Sequence, residues 1–202
     1  MEGKQIVSNR YELEENAAAA ERKTRFSTRM LALGAIVGAA YAALTMFLAP
    51  ISYGAVQFRI SEVLCILPYF IPGTAWGLFV GCAIANILGG GVLDIVFGSL
   101  ATLGAALATA WFGKREHTVA NSLLACLMPV VFNAVIVGAV VTAVFTVEGE
   151  TINPFTHWSI YLSTAASVGF GEAVVLYVLG FPLVRWLPKQ RFFQNFLDKF
   201  KS

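Results

Sequence analysis

The chain has 202 residues, of which 57% are hydrophobic and 13% charged, and its formal net charge is +2. This composition is too apolar for a water-soluble domain of this length, and the small net charge argues against nucleic-acid binding. Thirteen of the 14 Lys and Arg residues fall in the N-terminal tail, at Lys114 and Arg115, or from Arg185 onward. Because basic residues stay preferentially on the cytoplasmic side of a membrane, this pattern predicts an integral membrane protein with both termini in the cytoplasm.

The apolar residues form six segments separated by glycine, proline or charged turns. A helix needs about 20 apolar residues to cross the bilayer core, and the predicted segments are 30–49, 55–71, 73–88, 92–112, 119–147 and 158–187. We therefore expect an all-α integral membrane protein in which residues 29–188 form a single bundle of six transmembrane helices. Residues 1–28 are predicted to be a polar cytoplasmic tail without a signal peptide, and residues 189–202 a basic cytoplasmic tail.

The first segment carries small residues at four-residue steps in two adjacent stripes. Small side chains let membrane helices approach each other closely. Packing within the bundle and docking against another membrane subunit are both open interpretations. The two stripes consist of Gly34, Gly38 and Ala42, and of Ala35, Ala39 and Ala43.

The start of the second segment is the densest polar cluster outside the tails, with Tyr53, Gln57, Arg59 and Glu62. Arg59 and Glu62 are three residues apart, so on a helix they share a face and can form an ion pair. An Arg at the outer end of a membrane helix is tolerated when it is paired. Anchoring of the helix at the outer surface and direct ligand contact both account for the cluster.

Polar side chains also flank the glycine run at 89–91, which joins the third and fourth segments. Asn86 precedes this run and Asp94 follows it. Asp94 suits a helix N-terminus, where the macrodipole favours negative charge, but the glycines permit close backbone approach beside it. Asn86 can either hydrogen-bond to a neighbouring helix or read a heterocycle edge.

Glu172 lies near the middle of the sixth segment, and Asn133 lies at matching depth in the fifth. A carboxylate at that depth must find a partner, stay protonated or bind something. A structural hydrogen bond to Asn133 or to a backbone group is one interpretation, and ligand contact is the other. Trp158 and Tyr161, at the start of the same segment, fit interfacial anchors.

The sequence gives no support for catalysis, and we predict that the protein is not an enzyme. The Gly-Lys pairs end at Lys4 and Lys114 and lack the Ser or Thr of a phosphate-binding loop. No Ser-His-carboxylate set is evident. The three cysteines lie in apolar segments without CxxC spacing, so we expect packing roles and neither a metal nor a cofactor.

Two longer stretches carry a family resemblance: PISYGAVQFRISE, residues 50–62, and LDIVFGSLATL, residues 93–103, together with AALT at 42–45. With these motifs the chain resembles the queuosine-precursor transporter family, whose members are substrate-binding S components of energy-coupling factor (ECF) importers. The resemblance extends over residues 28–188.

The resemblance implies a six-helix subunit of the cell membrane that captures a solute outside. It also implies partners, namely a transmembrane coupling subunit and two cytoplasmic ATPases, and toppling of the S component to release its substrate inward. In this family, small residues of the first helix serve docking, which gives both stripes a functional interpretation.

The implied substrate is a 7-deazaguanine such as preQ1, preQ0 or queuine. Its adjacent N–H donors suit a carboxylate, its carbonyl suits an amide donor, and its ring suits aromatic stacking. Glu172 or Asp94 is then the candidate acceptor, with Asn133, Asn86 and Gln57 as candidate donors. Candidate stacking residues are Tyr53, Phe58, Trp158 and Tyr161. The alternatives are an S component for another vitamin, such as riboflavin or thiamine, and, more distantly, a membrane enzyme or a structural subunit.

Overall fold

The computed structural model describes residues 28–53, 57–144, 146–147, 150–151 and 153–201. Most of the tail predicted at 1–28 lies outside these ranges, and so do residues 54–56, which include the start of the second predicted segment. The described part is almost entirely helical, in agreement with the expected all-α class. Its helices are α1 (Thr28–Phe47), α2 (Ala49–Ser52), a 3₁₀ helix (Ile60–Tyr69), α3 (Thr74–Gly89), α4 (Asp94–Gly113), α5 (Val119–Val144), α6 (Trp158–Lys189) and α7 (Arg191–Lys201).

Four of these helices, α1, α4, α5 and α6, are long and apolar enough to cross a membrane. The other two predicted segments are shorter in the structure. The second was predicted as a helix from residue 55, but residues 57–59 are not helical and Ile60–Tyr69 winds as a 3₁₀ helix of 10 residues. Such long 3₁₀ runs are uncommon. The third segment forms α3, with 16 residues.

The fifth segment was predicted to extend to residue 147, and this boundary was wrong. The helix ends at Val144, and a short antiparallel hairpin follows, in which β1 (Thr146–Val147) pairs with β2 (Glu150–Thr151). β-Branched residues favour extended backbone over helix, which accounts for the early end of α5. The predicted basic tail also has regular structure, because residues 191–201 form α7.

Glycines allow α1 and α3 to touch backbone to backbone. A Cβ on Gly38 would lie 2.6 Å from the carbonyl oxygen of Gly77, and a Cβ on Gly81 would lie 2.4 Å from that of Gly38. Only residues without a side chain permit this approach. One face of α1 is therefore occupied by packing within the molecule.

The connecting turns gather at two opposite ends of the bundle. At one end, a Cβ on Gly73 would meet the side chain of Met30, and Arg185 Nη1 donates a 3.1 Å hydrogen bond to the carbonyl of His117. At the other end, the ring of Tyr53 lies against Gly89. We call these the basic end and the glycine end, respectively.

Candidate functional site

Irregular helix winding marks the helices that carry the predicted polar residues. The five-residue π turn at the start of α4 begins at Asp94, and that of α5 begins at Asn133. A third π turn, Leu176–Gly180, lies one turn beyond Glu172 in α6. Because π turns inside α-helices occur frequently at functional sites, these positions support a site between the three helices.

Glu62 is the centre of a buried hydrogen-bond network near the glycine end of the 3₁₀ helix. Its Oε1 accepts from the Tyr41 hydroxyl and, at 3.3 Å, from Thr102. Its Oε2 accepts from the Cys65 thiol at 2.9 Å. Residues at i and i+3 eclipse each other in a 3₁₀ helix, which places Cys65 directly over Glu62. Both oxygens are thus satisfied by neutral donors from three separate helices.

Arg59 is also buried, with 3% of its surface exposed, and its contacts differ from those of Glu62. Its Nη2 donates to Asn86 Oδ1 at 3.3 Å, its Nη1 contacts Cys82 Sγ at 3.9 Å, and its guanidinium lies 5.3 Å from the ring centre of Tyr53. The helix face predicted to carry both Arg59 and Glu62 does not form, because Arg59 precedes the 3₁₀ helix. Their hydrogen bonds go to different partners, and both residues are enclosed by protein rather than placed at an outer surface.

Asn86 joins this arginine to the glycine end. Its amide nitrogen donates to the backbone carbonyl of Asp94 at 2.8 Å, and its oxygen accepts from Arg59 and from the Tyr53 hydroxyl, the latter at 3.3 Å. A Cβ on Gly98 would lie 3.0 Å from that amide nitrogen. The backbone of Gly98 therefore packs closely against the Asn86 side chain and helps to fix its position.

Glu172 and Asn133 form the hydrogen bond that the sequence allowed. Asn133 Nδ2 donates to Glu172 Oε1 at 3.0 Å, and both side chains are almost fully buried. Glu172 Oε2, Asn133 Oδ1 and Arg59 Nε have no hydrogen-bond partner in the described part of the protein. Unsatisfied buried polar atoms are costly, so each one requires an explanation.

The backbone at Gln57 brings these groups near one another. A Cβ on Gly171 would lie 2.2 Å from the Gln57 carbonyl oxygen, so α6 rests directly on the segment that precedes Arg59. Glu172 accordingly lies within electrostatic range of Arg59 and Glu62. The structure thus brings together two buried carboxyl groups, one guanidinium and one amide; we call Arg59, Glu62, Asn133 and Glu172 the polar centre.

Other predicted site residues lie at its edge or outside it. Asp94 is half-buried, and its Oδ2 accepts from the Gly91 N–H at 3.0 Å, as a turn-stabilising carboxylate does. Gln57 approaches α6 through its backbone, and Tyr53 contacts Arg59. Trp158 is 57% exposed, and Tyr161 donates to the Val135 carbonyl at 3.3 Å, so neither is brought to the polar centre.

The two stripes of α1 have different environments. Gly34, Gly38 and Ala42 are buried, and the two glycines face α3, whereas Ala35, Ala39 and Ala43 are exposed. An apolar groove of about 1010 Å³ runs beside them, with Ala35 and Ala39 on one wall and Trp76 of α3 on the other. Of the two stripes, only the one with Ala35, Ala39 and Ala43 is exposed. This groove does not include the polar centre.

Sequence reasoning missed the side chains that satisfy Glu62. Tyr41 and Thr102 lie in apolar stretches with no charged residue beside them in the sequence. Cys65 and Cys82 were expected only to pack. All three cysteines are buried and free, but Cys65 and Cys82 also take part in hydrogen bonds. A tyrosine beside the stripe of Gly34, Gly38 and Ala42 in α1 was the available signal, since a buried Tyr hydroxyl usually requires a partner.

Comparison with known proteins identifies the family to which this chain belongs. The model of the QueT transporter family matches residues 31–189, which run from the first turn of α1 to the end of α6. The chain belongs to the QueT transporter family. It is a multi-pass protein of the cell membrane, as this family and its four long apolar helices require.

A QueT relative shows the same relationship over a shorter stretch. The queuosine precursor transporter QueT of Lactococcus lactis subsp. cremoris (strain MG1363) is 42% identical over 71 residues. The aligned stretch covers 34% of this chain and 42% of that protein's length. No solved structure matches the chain. The family is one of transporters.

Proposed function

We propose that the protein is the substrate-binding S component of an ECF-type importer, and that it captures a 7-deazaguanine precursor of queuosine, such as preQ1, preQ0 or queuine. The observation that carries this proposal is the set of unpaired buried atoms at the polar centre. Glu172 Oε2 and Asn133 Oδ1 are acceptors, whereas Arg59 Nε is a donor. The family, and the printed name of its Lactococcus relative, point to the same substrate class.

The unpaired atoms complement the edge of a guanine-like ring. That edge carries two adjacent N–H donors beside one carbonyl acceptor. Glu172 and Asn133 would accept from the two donors, and the Arg59 guanidinium would donate to the carbonyl. In the sequence-based assignment Asn133 was a donor; its nitrogen already donates to Glu172, so its oxygen is the atom left for ligand.

Tyr53 would supply the stacking surface at the glycine end. Its ring is half-buried, its hydroxyl donates to the Ala85 carbonyl at 3.1 Å, and its face is already engaged by the guanidinium of Arg59. A flat heterocycle would insert beside the guanidinium, where cation–π and stacking interactions reinforce each other. Asn86 would orient Arg59 through its hydrogen bond to the guanidinium. Asp94 would stabilise the turn at residues 89–91 by accepting from the Gly91 N–H.

We also propose that uptake is driven by partner subunits. Neither Gly-Lys pair of the sequence has the Ser or Thr of a phosphate-binding loop. ATP hydrolysis would therefore come from two cytoplasmic ATPases, linked through a transmembrane coupling subunit. Ala35, Ala39 and Ala43 would form the docking face for that subunit, because they are the members of the two small-residue stripes that remain exposed.

The proposed topology has six membrane crossings with both termini in the cytoplasm. The 3₁₀ helix rises about 2.0 Å per residue and α3 about 1.5 Å, so they span about 20 Å and 24 Å of a core about 30 Å thick. The flanking turns would complete both crossings. Met30 lies against Gly73, and Arg185 contacts His117. These contacts put the start of α1, the turn before α3, the turn before α5 and the end of α6 at the basic end, as six alternating crossings would.

Equilibrium binding to the purified chain in detergent tests the substrate assignment. The ligands are preQ1, preQ0, queuine and guanine, with riboflavin, thiamine and biotin as controls. Selective binding of a deazaguanine is the expected result. Binding of a control vitamin instead would keep the importer class and reject the substrate, and binding of none of these ligands by the folded protein would reject solute capture.

A further inference from the structure

A second hollow, of about 410 Å³, lies at the basic end, where it adjoins the α1 groove at Phe70 and Leu197 and does not include the polar centre. It is formed where the ends of the 3₁₀ helix and α6 meet the turn before α5 and the start of α7. None of its lining residues is acidic. Its polar lining residues are Tyr69, His117, Ser122, Arg185, Lys189 and Gln194.

Two cationic side chains of α6 line this hollow. Arg185 and Lys189 are four residues apart, so they lie on the same side of the helix. One nitrogen of Arg185 is fixed by its 3.1 Å hydrogen bond to the His117 carbonyl. That bond orients the guanidinium and leaves its remaining N–H groups for another acceptor.

Tyr69 provides an independent indication of a ligand. The residue is 3% exposed and lines the hollow, yet its hydroxyl has no hydrogen-bond partner in the described part of the chain. Its ring is held edge-on by Phe70 and His117, at centroid distances of 5.2 and 5.0 Å. A buried hydroxyl without a partner is costly, and an acceptor inside the hollow would satisfy it.

Aromatic residues indicate where this hollow lies relative to the membrane. Trp111 and Trp186 are more than half exposed, and both lie on helix ends that meet at the basic end. The guanidinium of Arg115 lies 3.7 Å above the Trp111 ring. Exposed Trp residues beside Arg and Lys are typical of the membrane–water interface, which places the hollow at the level of the lipid headgroups.

We propose that this hollow binds a phosphate group, supplied by the headgroup of an anionic lipid. The Arg185 guanidinium and the Lys189 ammonium would neutralise the phosphate, and the Tyr69 hydroxyl would donate to one of its oxygens. Basic pockets between membrane helices bind anionic headgroups in this way. The proposal is independent of which solute the protein transports.

Binding to delipidated protein tests the proposal with three probes: vesicles of phosphatidylglycerol, vesicles of phosphatidylcholine, and inorganic phosphate. The variants are Lys189→Gln, Arg185→Gln with Lys189→Gln, and Tyr69→Phe. Two matched controls remove the same groups elsewhere: Arg115→Gln at the same end of the bundle, and Tyr177→Phe, whose hydroxyl donates to the Leu123 carbonyl. Thermal unfolding of each variant identifies any that fails to fold.

We expect phosphatidylglycerol to bind in preference to phosphatidylcholine. The double variant should lose at least about tenfold in affinity and Tyr69→Phe several-fold, because hydrogen bonds to a charged group are strong. Both controls should stay within about twofold of the parent protein. If inorganic phosphate binds with the same pattern of losses, the phosphate site is supported and its source is soluble.

Two outcomes would overturn the proposal. One is the absence of both a preference for phosphatidylglycerol and phosphate binding. The other is an equal loss in Arg115→Gln, which would mean that charge alone, and not the hollow, attracts the lipid. Lys189 is exposed, so Lys189→Gln should fold and keeps the test decisive even if the double variant does not.

Discussion

Asn133 donates a 3.0 Å hydrogen bond to one carboxyl oxygen of Glu172, while the other oxygen and the Asn133 carbonyl oxygen remain unpaired inside the protein. One bond therefore fixes the orientation of both side chains. It leaves one buried acceptor oxygen without a partner on each of the two residues. Such an arrangement is costly without a ligand, and a ligand with two adjacent donors would satisfy it.

Glu172→Gln should weaken ligand binding without harming the fold. The new amide can still accept from Asn133 Nδ2, and its own N–H can satisfy Asn133 Oδ1, so the pair becomes self-contained. Because hydrogen bonds to charged groups contribute about 1.5 to 3 kcal/mol, affinity for a deazaguanine should fall about 10- to 100-fold. Isothermal titration in detergent measures this loss.

The matched control for this change is Glu116→Gln, which removes an exposed carboxylate near the basic end. It should bind ligand as the parent protein does. Unchanged affinity in Glu172→Gln would remove Glu172 from the proposed site.

Gly171→Ala should disturb the contact between α6 and the segment before Arg59. The added Cβ would lie 2.2 Å from the Gln57 carbonyl oxygen, and rigid backbone has to move to admit it. Overpacking of this kind costs about 1 to 3 kcal/mol. We expect a lower Tm and weaker ligand binding together, measured by thermal unfolding with and without ligand.

Gly169→Ala, two residues before Gly171 in α6, is the control for that experiment. Its Cβ would meet only the Cβ of Ala134, at 3.2 Å, so a smaller effect is expected. Equal effects at the two glycines would show that the Gln57 contact has no special importance.

Tyr41→Phe should destabilise the protein without changing the residues proposed to touch the ligand. The substitution keeps the ring and removes the donor to Glu62 Oε1, which then retains only the longer bond from Thr102. Loss of one partner of a buried carboxylate costs about 1 to 3 kcal/mol. A decrease in Tm should be measurable in detergent. Tyr161→Phe, which loses a 3.3 Å bond at an exposed hydroxyl, should unfold close to the parent temperature.

Ala39→Trp should separate solute binding from transport. Ala39 is exposed and lines the α1 groove, so a bulky side chain there leaves the polar centre intact. If a coupling subunit docks on this face, ATP-driven uptake should fall more than about tenfold, since disruption at an interface centre costs about 2 kcal/mol or more. Reconstituted uptake and ligand binding are measured in parallel.

Val178→Trp provides the control, because Val178 is an exposed apolar residue of α6. It should bind and transport normally. Full uptake by Ala39→Trp would exclude the alanine stripe as the docking face.

The sequence predicted the helical class and the approximate position of most segments, because hydropathy reports directly on burial in lipid. Matching depth also indicated the bond between Asn133 and Glu172. Winding could not be predicted, because residues 63–69 are apolar without a break and show no period that would separate a 3₁₀ helix from an α-helix. The partners of Glu62 were missed because Tyr41 and Thr102 are adjacent to it only after three helices have packed.

The small-residue stripes of α1 show a different limit of sequence reasoning. Four-residue spacing reports that another helix can come close, but it does not report which one. In the structure Gly34 and Gly38 are buried against α3 of the same chain, whereas Ala35 and Ala39 are exposed. Neighbouring stripes with nearly identical chemistry therefore have different environments, and only the fold distinguishes them.

The 3₁₀ helix has a mechanical consequence. Ten residues extend about 20 Å when wound as a 3₁₀ helix but about 15 Å when wound as an α-helix. Rewinding this segment would thus draw Arg59 about 5 Å toward the end that carries Tyr69, away from Asn86, and would rotate Glu62 relative to Cys65. The length of one short helix is in this way linked to the positions of Arg59 and Glu62.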